Sequence, residues 1–63
     1  MKLIIWRETF AEWSPAWFWD LVEDPALHER GNIYTDNMLA WGAEDHWDDA
    51  LRRGLSVYAN RQR

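Results

Sequence analysis

Cysteine is absent from the chain, which removes a disulfide framework, a thiolate zinc site and a cysteine nucleophile together. Nothing then argues for an oxidising compartment, and a cytoplasmic setting is the expectation. Long apolar runs are missing as well. Lys2 precedes Leu3, Ile4, Ile5 and Trp6, but Arg7 and Glu8 end that run far short of a signal peptide or a membrane span. Phe10–Val22 is rich in aromatics but carries Glu12 and Asp20 and no Lys or Arg, whereas interfacial helices favour basic polar faces, so no membrane partner is expected. Three scattered glycines offer no phosphate-cradling loop. Basic residues are scarce through most of the chain. From Glu8 to Asp49 there are eleven acidic residues and only Arg30 against them, a block of −10, and six basic residues outside it bring the net charge to −4.

Sixty-three residues form one domain, 1–63, near the size at which a core is only just sufficient, since such a chain buries about 60% of its unfolded surface. Six tryptophans are the second anomaly. Each large aromatic side chain has roughly 150–250 Å² to bury, more than so small a core can fully enclose. Trp6, Trp17 and Trp47 are the expected core members; Trp13, Trp19 and Trp41 are harder to place inside.

Read in order, Leu3–Trp6 is a short run of β-formers bounded by charge and suits a strand. Its best partner is Asn32–Thr35, with Thr9–Trp13 the other option. Ser14-Pro15 has the form of a helix start, Ser14 capping and Pro15 at the first helical position. Trp17, Phe18, Leu21 and Val22 follow at helical spacing up to Glu23. Asp24-Pro25 opens a short second turn over 25–30, closed by Gly31. From Thr35 to Asn60, Leu39, Ala40, Ala43, Trp47, Ala50, Leu51, Gly54, Leu55, Val57 and Tyr58 fill one half of a helical wheel and charged residues the other. This predicts one long amphipathic helix, continuous or kinked at Gly42. The expected fold class is therefore α+β: a small, mainly helical domain with a short two-stranded ribbon packed on a long C-terminal helix.

No catalytic motif stands out. Ser14 and Ser56 lack a His-Asp context, and a domain this small has little room for a substrate cleft, so an enzyme is not expected. His46 lies among Glu44, Asp45, Asp48 and Asp49, but a metal site needs a second His or more converging carboxylates. Neither a metal nor another cofactor is implied. Arg52 and Arg53 are matched by Asp48 and Asp49 at i, i+4, which argues against direct nucleic-acid binding. On a continuous helix, Glu44/Asp48 and Asp45/Asp49 stand roughly 6 Å apart along the axis, comparable with phosphates along a strand. An exposed tryptophan ringed by carboxylates would combine an anchor with an electrostatic guide. The candidate partner-binding residues are Glu44, Asp45, Asp48, Asp49 and Trp41, with Trp19, Asp20, Glu23 and Asp24.

In its size, its −10 block from Glu8 to Asp49 and its tryptophan content, the chain resembles the very small acidic inhibitors of phages and mobile elements, among them anti-CRISPR proteins acting on type I effector complexes. Such proteins share no common fold, so no functional residue carries over. The resemblance implies a stoichiometric inhibitor that occupies a basic DNA-binding surface of a Cas subunit, without a cofactor or chemistry; a monomer is the favoured state. The alternative is a structural module buried through its aromatics in a homodimer or larger assembly.

Overall fold

The computed structural model describes residues 1–8 and 17–62. The element order is β1 (Lys2–Arg7), β2 (Trp17–Val22), a 3-10 turn over Pro25–Leu27, β3 (Met38–Glu44) and α1 (Trp47–Arg61). The strands form one antiparallel sheet in the order β1-β2-β3, and α1 packs across it. The class is α+β. The ribbon is a three-stranded sheet, however, and strands of six, six and seven residues outweigh a helix of fifteen, so the domain is not mainly helical.

β1 forms where the β-rich opening run suggests, but it pairs with β2 in the register Leu3↔Leu21, Ile5↔Trp19, Arg7↔Trp17 rather than with Asn32–Thr35. The expected helix after Ser14 gives way to β2; Ser14, Pro15 and the alternative partner Thr9–Trp13 lie outside the described residues. The run Trp-Phe-Trp-Asp-Leu-Val fits helical spacing locally, yet it is apolar on both alternating faces apart from Asp20. That pattern belongs to a central strand covered on both sides. Burial bears this out: Trp19, Asp20, Leu21 and Val22 are all buried.

The long helix of the sequence reading is divided. Residues 38–44 form the outer strand β3, and the helix begins only at Trp47. Trp41, Gly42 and Ala43 pair with Asp20, Trp19 and Phe18, and a register shift falls between Leu21 and Val22. Trp47 opens the helix at 47% exposure instead of joining the core. Pro25–Leu27 is helical as expected of 25–30, though shorter, with Asp24 as its cap, and Gly31 lies beyond it at φ 79°.

The alternation of β2 assigns the two sheet faces. Leu3, Ile5, Trp19, Leu21, Ala40 and Gly42 share one face, and α1 lies over it through its buried Ala50 and Gly54. Two glycines permit the close fit. A Cβ on Gly54 would stand 2.7 Å from Leu3 Cδ1, and one on Gly42 would stand 2.5 Å from Trp19 Cε2. The Trp19 indole thus lies over β3 where the neighbouring strand has no side chain. Its Nε1 is buried without a hydrogen-bond partner among the described residues, a cost of about 1–3 kcal/mol. Burying an indole of roughly 150–250 Å² at about 25 cal/mol per Å² contributes about 4–6 kcal/mol, and so outweighs it. At the far end of α1, Arg61 Nη2 donates to the Leu39 carbonyl at 2.8 Å, fastening the helix to the start of β3.

Gly42→Ala should destabilise the protein by about 1–3 kcal/mol, because the added methyl meets a ring enclosed by other side chains. Urea titration followed by tryptophan fluorescence measures this; an unchanged midpoint would place the Trp19 ring elsewhere.

Candidate functional site

The second sheet face carries Ile4, Trp6, Phe18, Asp20, Trp41 and Ala43, and part of it is roofed by the segment between β2 and β3. That segment is tied down where it leaves the sheet and where it returns. Asp24 N donates to Asn37 Oδ1 at 2.7 Å, Asn37 Nδ2 donates to the Asp24 carbonyl at 2.9 Å, and Glu23 N donates to the Asn37 carbonyl at 2.9 Å. Asp24 Oδ1 accepts from Ala26 N at 3.0 Å and starts the 3-10 turn. The amide of Asn37 thus works as an extra rung of ladder between the two strand ends.

Beneath the segment, Asp20 is 2% exposed. A carboxylate so enclosed needs partners, and it has two: Trp6 Nε1 donates to Oδ2 at 2.7 Å, and His28 Nε2 lies 2.7 Å from the same oxygen. An ionised carboxylate only accepts, and in the tautomer that suits it Nε2 carries the hydrogen. The His28 side chain is 11% exposed. Trp6, directly opposite Phe18 in the register, stacks on it with ring centroids 4.6 Å apart and planes 14° from parallel. Strand β1, strand β2 and the connecting segment therefore meet at one oxygen atom.

Beside this network is a cavity of about 220 Å³ lined by Trp6, Phe18 and Trp41, by Asp20 and Glu8, and by Gly31 and Ile33. Trp41, on the outer strand, is 44% exposed, and Gly31 in the covering segment is exposed as well, so the wall is open to solvent at both. A larger depression of about 340 Å³ lies at the first turns of α1 among Glu44, Asp49, Arg52, Arg53 and Ser56. It is a polar groove of mixed charge, in which Arg52 Nη1 approaches Asp49 Oδ1 at 3.4 Å.

The residues expected at a partner surface are thus distributed in three ways. Asp45, Asp48, Glu23, Asp24 and Trp41 are exposed and Glu44 and Asp49 half-buried, as surface contacts require. Trp19 and Asp20 are buried and lie off the open surface, Trp19 on the helix-covered face and Asp20 beneath the covering segment. Glu44 ends β3 and Asp45 lies in the bend after it, so Glu44/Asp48 and Asp45/Asp49 are not pairs one helical turn apart. Asp48 and Asp49 occupy the first turn of α1, where His46 provides no side-chain cap; their charge offsets the N-terminal end of the helix dipole. Arg52 approaches Asp49 at i, i+3, and the expected i, i+4 pairs of Asp48 with Arg52 and Asp49 with Arg53 do not form.

Sequence reading missed the role of His28 and the meeting of Trp6, Phe18 and Trp41. One signal was present: a single carboxylate inside an otherwise apolar run of strand-forming residues demands a donor from another element. Among the described residues no group of three or more His, Asp or Glu side chains is arranged to hold a metal ion, no helix is long and apolar enough to cross a membrane, and no hydroxyl or thiol bonds to His28.

Asp20→Ala should cost about 3 kcal/mol or more, since it strands two buried donors and opens space. Denaturant titration measures the loss, and a change under about 1 kcal/mol would show that the Trp6–Asp20–His28 junction does not hold the segment down.

No family model, no curated protein and no solved structure matches the chain.

Proposed function

We propose that the protein is a non-enzymatic binding protein that docks on a basic surface of a nucleic-acid-binding partner and so inhibits it, a type I CRISPR effector complex being the specific target to which the anti-CRISPR resemblance leads. The observation that carries the reading is the unbalanced charge at the β3–α1 junction. Asp45 and Asp48 are exposed and form no ion pair among the described residues, and at this junction Arg52 pairs with Asp49 alone. A surface that leaves its carboxylates without cations of its own raises the local potential that attracts a cationic partner.

Two features extend this. Trp41 stands three residues before Glu44, the last residue of β3, roughly 10 Å away at about 3.3 Å per residue. Half-exposed aromatics at that distance from a charged rim have the composition of an interface hot spot with its guide. Because the carboxylates lie partly on a strand end and partly on a helix, their fit to a basic channel comes from overall sign and not from a helical repeat of phosphate spacing.

A second reading follows from Trp47 and Leu55, which are 47% and 50% exposed on α1. They provide an apolar surface for a homodimer, in which the charge serves solubility.

Salt separates the two. Binding through exposed carboxylates weakens steeply as ionic strength rises and the screening length falls to about 8 Å, whereas an aromatic dimer persists. In an electrophoretic assay of a purified type I effector on its target DNA, added protein should abolish the shifted band at low salt and much less at high salt. The triple variant Asp45→Asn, Asp48→Asn, Asp49→Asn should keep the fold, losing about 1–2 kcal/mol of helix-dipole compensation, and lose the inhibition. An unaffected band, or full inhibition by the triple variant, contradicts the proposal.

A further inference from the structure

The cavity between the sheet and its covering segment has a composition that surface charge does not account for. Three aromatic side chains, Trp6, Phe18 and Trp41, form its walls together with a nearly buried carboxylate, Asp20. Aromatic walls with a carboxylate suit a cation: the ring quadrupoles attract it and the carboxylate supplies the counter-charge, most strongly where water is excluded. We propose that this cavity takes the alkylammonium end of a lysine side chain presented by the basic partner. The inference rests on the reading of a basic partner, and specifies the side chain held.

Size and hydrogen bonding select lysine. At about 220 Å³ the cavity falls below the roughly 300–1,000 Å³ of sites for drug-sized ligands, but it accommodates a short aliphatic chain with a charged tip. The apolar stem of lysine suits Ile33 and the rings. Arginine binds carboxylates best through both oxygens at once. In Asp20, Oδ2 is already shared by Trp6 and His28, and Oδ1 takes no hydrogen bond among the described residues. At Asp20 the one oxygen left suits a compact ammonium better than a planar fork, and Glu8 adds a second carboxylate to the same lining. Entry is past Trp41, whose side chain is partly open to water.

The probe is Nα-acetyl-lysine methylamide, titrated into the full chain at neutral pH with the indole N–H resonances followed by NMR. Saturable shifts of the Trp6 and Trp41 indole signals are expected. The arginine analogue should bind more weakly, and the norleucine analogue, which keeps the stem and lacks the charge, should leave those signals in place. Trp41→Ala should weaken lysine binding about threefold to thirtyfold, the range for loss of one cation–π contact, while keeping the folded spectrum, since its ring is half outside. Asp20→Asn, provided it folds, should weaken it further. Absent shifts, equal response to norleucine, tighter binding of arginine or undiminished binding by Trp41→Ala would each overturn the proposal. The probe involves no partner protein and no acidic surface. Failure here therefore leaves the salt-sensitive inhibition of the effector standing, and failure of that inhibition leaves the cavity assignment standing.

Discussion

The carboxylate of Asp20 is the constraint on which the fold turns. It occupies the middle of the central strand, paired with Ile4 on one side and Trp41 on the other, in a position where an unpartnered charge would be prohibitive. Its satisfaction requires Trp6 from β1 and His28 from the covering segment to converge on Oδ2. One atom thereby ties three stretches of chain together. On the opposite face of the same strand, the large Trp19 ring demands space, which Gly42 and Gly54 supply by having no side chain. Sheet, helix and covering segment are arranged around a strand that has no solvent face. The small residues and the buried acid are consequences of that single fact.

This organisation explains how so short a chain uses its aromatics. Trp6 and Trp19 are enclosed, one with its N–H bonded and one without a partner among the described residues; Trp17 is half-buried with the Arg7 guanidinium 5.8 Å from its ring centroid; Trp41 and Trp47 are left partly outside. The tryptophan surplus is therefore divided between core and surface. The surface share falls on either side of the acidic β3–α1 junction, which is the reason that charge and aromatic contact enter one functional proposal.

Some of this was legible in the residues. Leu3–Trp6 read as a strand because it is short, β-rich and bounded by charge, and the second half of the long amphipathic pattern did become a helix, with Ala50 and Gly54 facing inward. The first half misled because Leu39, Ala40 and Ala43 satisfy a helical wheel as well as a strand edge, and only pairing with β2 decides between them. Ser14-Pro15 carries a strong local capping signal, yet the residues after it went to the sheet, where both of their faces could be covered. Trp41 and the carboxylates Glu23, Asp24, Asp45 and Asp48 were legible as surface groups from polarity and position. Asp20 and Trp19 were misplaced because the same run also fits helical spacing, and the Ser14-Pro15 capping signal favoured that reading over a strand apolar on both faces.

The most direct test of the account is the position of the Trp6 indole proton. A nuclear Overhauser contact between Trp6 Hε1 and the His28 ring, together with slow solvent exchange of that proton, is what convergence on one oxygen of Asp20 requires. Rapid exchange with no contact to His28 would mean that β2 is not the doubly covered centre of the sheet, and that both the cavity and the arrangement around it must be redrawn.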